Sequence, residues 1–171
     1  MKKIGIIVGL SLLLLVIAFL IRDAVLCFSI AQITGEIVVF KQAWKLPHQL
    51  LPTIIFIFSF GIIPLLTIFV NRICRLTSLR RQITSTTMII VTGILFYVFR
   101  VVFLKIKAAQ INDLLRRAEF ATEADIPRIR FEDMHLGLYI LIGLVVGSLF
   151  SILIYRKKSK PAGLKKNQEL T

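Results

Sequence analysis

The chain has 171 residues, with 22 Lys+Arg against 9 Asp+Glu, a formal net charge of +13, and 57% hydrophobic but only 18% charged residues. A soluble domain is about 45–50% apolar and about 25% charged. A small chain this basic invites a nucleic-acid reading, but a mean hydropathy of +0.84 excludes an ordinary soluble domain and points to a membrane protein.

The first apolar run, residues 4–21, contains no charge and follows Lys2 and Lys3. A bilayer crossing takes about 20 helical residues, so the run is read as a first span. A cleaved leader is the alternative, with Ser29-Ile30-Ala31 as a loose cleavage site and Cys27 as a lipidation site. The run is longer than a leader core, Arg22-Asp23 intervene, and Leu26 is too bulky to precede a lipidated Cys. Gly5 and Gly9 give this span a short face of small residues.

Residues 22–49 are expected to form an outer loop. The stretch Ile33-Thr-Gly-Glu-Ile-Val-Val-Phe-Lys41 is rich in strand formers. Trp44 sits before the next span, where its amphipathic ring suits the membrane interface. The second span is residues 50–70, with no charge and with Pro64 three residues after Gly61, a placement that kinks a helix. Residues 71–82 form a short basic connector with Arg72, Arg75, Arg80 and Arg81.

The third span, residues 83–104, holds the one ionisable residue inside any span, Arg100. An intramembrane charge marks function by default, but Arg100 lies near the outer end, and snorkelling to the head groups is favoured over an internal partner, an ion path or a lipid phosphate. Residues 105–135 form the second outer loop. Leu104, Ala108, Ile111, Leu115 and Ala118 recur at helical spacing, so the third helix is expected to project from the membrane and pack this stripe on the first outer loop or on a second copy. Residues 126–131 alternate like a short strand, with Arg128 and Arg130 on it and Pro127 confining it to an edge. Pairing with residues 36–40 gives a small extracytoplasmic α+β cap. The outer-loop interaction residues are therefore Ile111, Leu115, Arg128, Arg130 and Trp44.

The fourth span is residues 136–155. Gly143, Gly147 and Ser151 form one face for close helix approach, within the chain or in a homo-oligomer. Residues 156–171 are a basic cytoplasmic tail, including Arg156, Lys157 and Lys158.

Cation counts set orientation. Twelve of the 22 Lys and Arg lie on one side, in residues 2–3, 71–82 and 156–171, with one acid, Glu169; nine lie in the two longer loops with the other eight acids. The basic side is read as cytoplasmic, with both termini inside and the two longer loops outside, in the plasma (inner) membrane. On it, Arg80, Arg81, Arg156, Lys157 and Lys158 are expected to contact anionic lipid head groups, each cation near the surface being worth about 1 kcal/mol, with a cytosolic protein partner as the sharper alternative.

Catalytic chemistry has little to build on. The two Cys fall at opposite faces, and no Cys-x-x-Cys pair is present. The two His are far apart in sequence, so no metal site and no cofactor is expected. No His, Asp or Glu lies in a span, which disfavours intramembrane acid–base work and proton-coupled transport.

The fold class expected is an all-α membrane protein with four transmembrane helices and a small outer cap. The function expected is that of a non-catalytic membrane protein, not an enzyme and not a nucleic-acid binder: a homo-oligomeric sensor or anchor subunit of a membrane complex. Tetraspan adaptors, bacteriocin immunity proteins and sensor subunits of phage-defence systems share this plan by topology alone, and a bacterial sensor or immunity component is favoured. One alternative is an oligomeric channel, with Ser59, Thr67 and Thr92 as sparse polar lining. The other is an interfacial lipid-acting enzyme using Glu132, Asp133 and His135.

Overall fold

The computed structural model describes the backbone of residues 2–33, 46–117 and 134–158, with side chains for 5–33, 50–111, 113 and 134–156. Every described element is a helix: α1 (Lys2–Ile33), α2 (Leu46–Gly61), α3 (Ile63–Ile73), α4 (Leu79–Arg117) and α5 (Leu136–Lys158). Segments Gly5–Ile33, Leu79–Ile111 and Leu136–Arg156 are long and apolar enough to cross a membrane. The pair Leu50–Gly61 and Ile63–Ile73 passes the same test together, bent by 43°, which allows up to four spans. Among the described residues there is no strand. Residues 36–40 and 126–131, expected to pair in a cap, lie outside the described residues.

α1 is a single helix of 32 residues, about 48 Å long at 1.5 Å per residue. The sequence reading ended the first span at residue 21 and began a loop at 22; the helix instead continues through Ile33. Arg22 and Asp23 do not terminate it because they neutralise each other, with Arg22 Nη2 and Asp23 Oδ1 2.7 Å apart. The residues after them are mostly apolar, with Ser29 and Gln32 between, and free of Gly and Pro up to Ile33, so nothing stops helix propagation.

The bend between α2 and α3 has a local cause. Pro64 lacks an amide hydrogen, and its ring excludes the carbonyl four residues back, so the ladder opens at that turn. Ile62 N–H still donates to Phe58 O at 3.0 Å, and Leu66 N–H to Ile62 O at 3.0 Å. The chain therefore turns without leaving a long unpaired stretch. Fully buried Ser59 donates to Phe56 O at 2.6 Å, a back-bond that itself favours bending.

α3 and α4 are joined by a tight reversal. Leu76 N–H donates to Asn71 O at 3.1 Å, and Arg75 has φ 48°. This six-to-one bond across a left-handed residue is the Schellman helix ending. Leu76 is buried beside Val70, Cys74 and Ile89, the apolar contact that accompanies such an ending. Gln82 Nε2 donates to Leu76 O at 2.7 Å and fixes the start of α4.

α4 and α5 pack most closely, and two glycines on α5 explain why. A Cβ at Gly143 would lie 2.8 Å from Thr92 O and 2.9 Å from Gly93 Cα; one at Gly147 would lie 3.0 Å from Ile89 Cα. Without a strong hydrophobic drive between helices in lipid, close van der Waals approach at small residues is what holds such pairs. Gly137 lets α5 reach α2 in the same way, its position allowing only 2.6 Å to Phe56 Cα.

The stripe on α4 packs within the chain. Leu104 and Ala108 are buried with Ile33 of α1, and with Met134 and Leu136 at the start of α5. Ile111 is half-buried, and the side chains of Leu115 and Ala118 lie outside the described ones. The described part of the stripe, Leu104 and Ala108, thus packs on the last turn of α1 and the start of α5.

Candidate functional site

The charged groups divide into two levels along the helices. Lys3 to Arg22 spans 19 residues of α1 and Arg80 to Arg100 spans 20 residues of α4. At 1.5 Å per residue these are about 28 and about 30 Å, the thickness of a bilayer hydrocarbon core.

At this outer level Arg22 and Arg100 are fastened to the protein, while Lys105 and Lys107 further along α4 are exposed. Arg22 Nε donates to Asp23 Oδ1 at 2.8 Å and Nη1 to Thr53 Oγ1 at 3.4 Å, and the guanidinium lies 5.9 Å from the Phe19 ring centre. Arg100 is half-buried and donates from Nε to Met134 O at 2.9 Å, with Tyr139 4.8 Å beneath its guanidinium. His135, with φ 48°, follows Met134 and accepts from Tyr139 N–H at 3.2 Å. Arg100 therefore secures the chain where it enters α5. The expectation that Arg100 snorkels to the head groups treated it as a lone side chain, whereas its partners belong to the protein.

The basic end is different. Arg72, Arg75, Arg80, Arg81 and Arg156 are all exposed. Their guanidinium groups make no ion pair or side-chain hydrogen bond among the described residues. The side chains of Lys157 and Lys158 lie outside the described ones. Beneath these arginines sits Cys74, buried, its Sγ 4.0 Å from Ile152 O. Burial pushes its thiol above its ordinary value, while the Arg156 guanidinium pulls it down less strongly.

Between the two levels several hydroxyls bond the backbone of their own helices, while the buried Ser11 and Ser85 hydroxyls have no partner among the described residues. Thr67 Oγ1 donates to Ile63 O and Thr92 Oγ1 to Met88 O. With Ser59 bonded to Phe56 O, the three hydroxyls suggested for a channel lining are spent on local backbone. Ser29 and Tyr97, neither of which stood out in the sequence as a contact, join α1 to α4. Ser29 Oγ donates to Val25 O at 2.7 Å, so the 2.7 Å contact to Tyr97 is made by the Tyr97 O–H.

The small-residue faces diverge. Gly143, Gly147 and Ser151 all face α4, with Ser151 Oγ reaching Ser85 O at 3.5 Å. Gly5 and Gly9 have nothing within 4 Å of a Cβ built on them. Trp44, Arg128, Arg130, Glu132 and Asp133 lie outside the described residues. Among the described residues no three His, Cys, Asp or Glu gather as a metal site would require. No family model matches the chain, and no curated protein or solved structure matches it.

Proposed function

We propose that the chain is a non-catalytic integral membrane protein that anchors a complex through its basic end. The observation that carries this reading is the cluster of exposed arginines at the basic end. Arg22 and Arg100 are engaged by the protein's own groups, while five exposed arginines at the basic end have no such partner among the described residues. Cations held out on a short turn and a helix end meet anionic head groups, and with them a cytosolic partner. By the Lys and Arg asymmetry this end is cytoplasmic and both termini lie inside the plasma (inner) membrane. The two longer loops then face outward as the sensing surface, with the paired-strand cap, Trp44, Arg128 and Arg130 on it. The open turns of α1 around Gly5 and Gly9 are the surface left for a second copy, because α4 already occupies the face of Gly143 and Gly147.

Affinity purification from membranes in mild detergent, followed by mass spectrometry, tests the reading. A cytosolic protein recovered with the full chain should be lost from the Arg80→Ala/Arg81→Ala variant and on deletion of residues 156–171. Recovery of the same proteins with and without these cations would refute it.

A further inference from the structure

A cavity of about 150 Å³, open on one side, lies where all five helices meet. Val25 of α1, Phe60 of α2, Ile63 of α3, Gly93 and Tyr97 of α4 and Ile140 of α5 line it, and no polar surface faces it. Its mouth is marked by Ile90 and Ile94 of α4, which line it and yet are 38% and 56% exposed. We propose that this cavity takes one acyl chain of a membrane phospholipid, which inserts sideways between α1 and α4. The inference rests on the membrane reading proposed above.

Three observations select that occupant. First, water has nothing to bind there. Tyr97 carries the one polar group near the lining, and its O–H is given to Ser29. A buried water needs two to four polar partners, and apolar cavities of this size stay dry. Second, the depth is that of hydrocarbon. Gly93 and Tyr97 stand 13 and 17 residues along α4 from Arg80, about 20 and about 26 Å at 1.5 Å per residue, short of Arg100. Third, the mouth is continuous with the apolar surface around it, since Val91, Leu95 and Val98 on the same helix are also exposed.

The cavity exists because α1 leans. Its middle lies on α2 and α3, with Leu15 against Gly61 and Arg22 beside Thr53. Its last turns cross to α4, where Ser29 meets Tyr97, and Ile30 and Ile33 meet Leu104 and Ala108. The wedge left below that crossing is the cavity.

The test uses the full chain in vesicles of phosphatidylglycerol carrying a photoreactive diazirine along one acyl chain. Adducts mapped by mass spectrometry should concentrate on Val25, Phe60, Ile90 and Ile94, well above the exposed controls Leu95 and Phe99. Ile94→Trp, at an exposed position that leaves packing intact, should remove that excess and leave the control adducts unchanged. Adducts spread evenly over α1 and α4, or an excess that survives Ile94→Trp, would each overturn the cavity proposal. Washing the membranes in alkaline carbonate separates the two levels of inference. Release of the protein would overturn the membrane reading and the cavity with it, whereas retention with evenly spread adducts overturns the cavity alone.

Discussion

Arg75 occupies a backbone position that favours glycine, with φ 48°, and an L side chain pays on the order of 1 kcal/mol for the left-handed region. Arg75→Gly should therefore raise stability by up to about 1 kcal/mol, read as a higher thermal midpoint in detergent, while removing a cation from the basic end. A stabilised variant with weakened recovery of a partner would show that the side chain is kept for its charge. An unchanged or lower midpoint would mean the turn tolerates Arg75 without strain. Cys74, one residue before, is governed by burial rather than strain. Its folded state holds the thiol proton more tightly than the unfolded chain does. This group therefore leaves stability untouched below the unfolded thiol value and lowers it as pH rises through the interval above. Arg156 acts against that shift, so in a Cys27→Ser background Arg156→Gln should move the alkylation rate profile of Cys74 to higher pH. A profile that stays or moves down would remove Arg156 from the account.

The helix contacts separate what the sequence carries from what only the tertiary arrangement supplies. Gly143→Ala places a methyl within 3 Å of the α4 backbone, and overpacking of that kind costs about 1–3 kcal/mol. Gly9→Ala meets nothing within 4 Å in the single chain, so in chains dispersed singly in detergent it should gain up to about 1 kcal/mol from helix propensity. Unfolding in graded denaturing detergent compares the two, and equal effects would contradict the packing described. The small-residue spacing at 143, 147 and 151 was legible because a helix repeats every 3.6 residues, and the stripe of Leu104 and Ala108 was legible for the same reason. Their partners were not, since spacing on one helix says nothing about which helix faces it. Arg100 could not be read further than its charge, because its acceptor is the carbonyl of Met134, and a backbone carbonyl has no sequence signature. The length of α1 was missed because Arg22-Asp23 looked like an interfacial boundary, and adjacent opposite charges can pair without ending a helix. Ser29 and Tyr97 are 68 positions apart and meet only because α1 leans. Tyr97→Phe leaves Ser29 Oγ without its donor but keeps the Val25 bond. It should cost about 1 kcal/mol, a loss measurable in the same detergent titration, and no loss would mean that the apolar cluster above it holds α1 to α4 unaided.

At the scale of the whole molecule, the long helices decide which groups clear the bilayer. Cys27 is exposed and stands 24 residues along α1 from Lys3, about 36 Å at 1.5 Å per residue. A hydrocarbon core is about 30 Å thick, and α1 leans so that Ser29, two residues on, meets Tyr97; with the basic end inside, Cys27 therefore stands at the outer boundary. Arg22 and Asp23, five and four residues earlier, supply the polar collar at that boundary. The proposed orientation thus makes a sharp prediction. In a Cys74→Ser background, a membrane-impermeant maleimide should label Cys27 in intact right-side-out vesicles, with no need for permeabilisation. Inverted vesicles should show labelling only after they are opened. The orientation rests on the twelve cations and one acid of the basic segments, and short connectors rich in Lys and Arg stay on the cytoplasmic side. Changing Arg72, Arg75, Arg80 and Arg81 together to Gln should therefore weaken the bias of the α3–α4 turn and give a fraction of molecules with reversed labelling. Labelling of the parent chain confined to inverted vesicles would invert the assignment: the arginines would then face outward, and the anchor role proposed for them on the cytoplasmic side would fall with it.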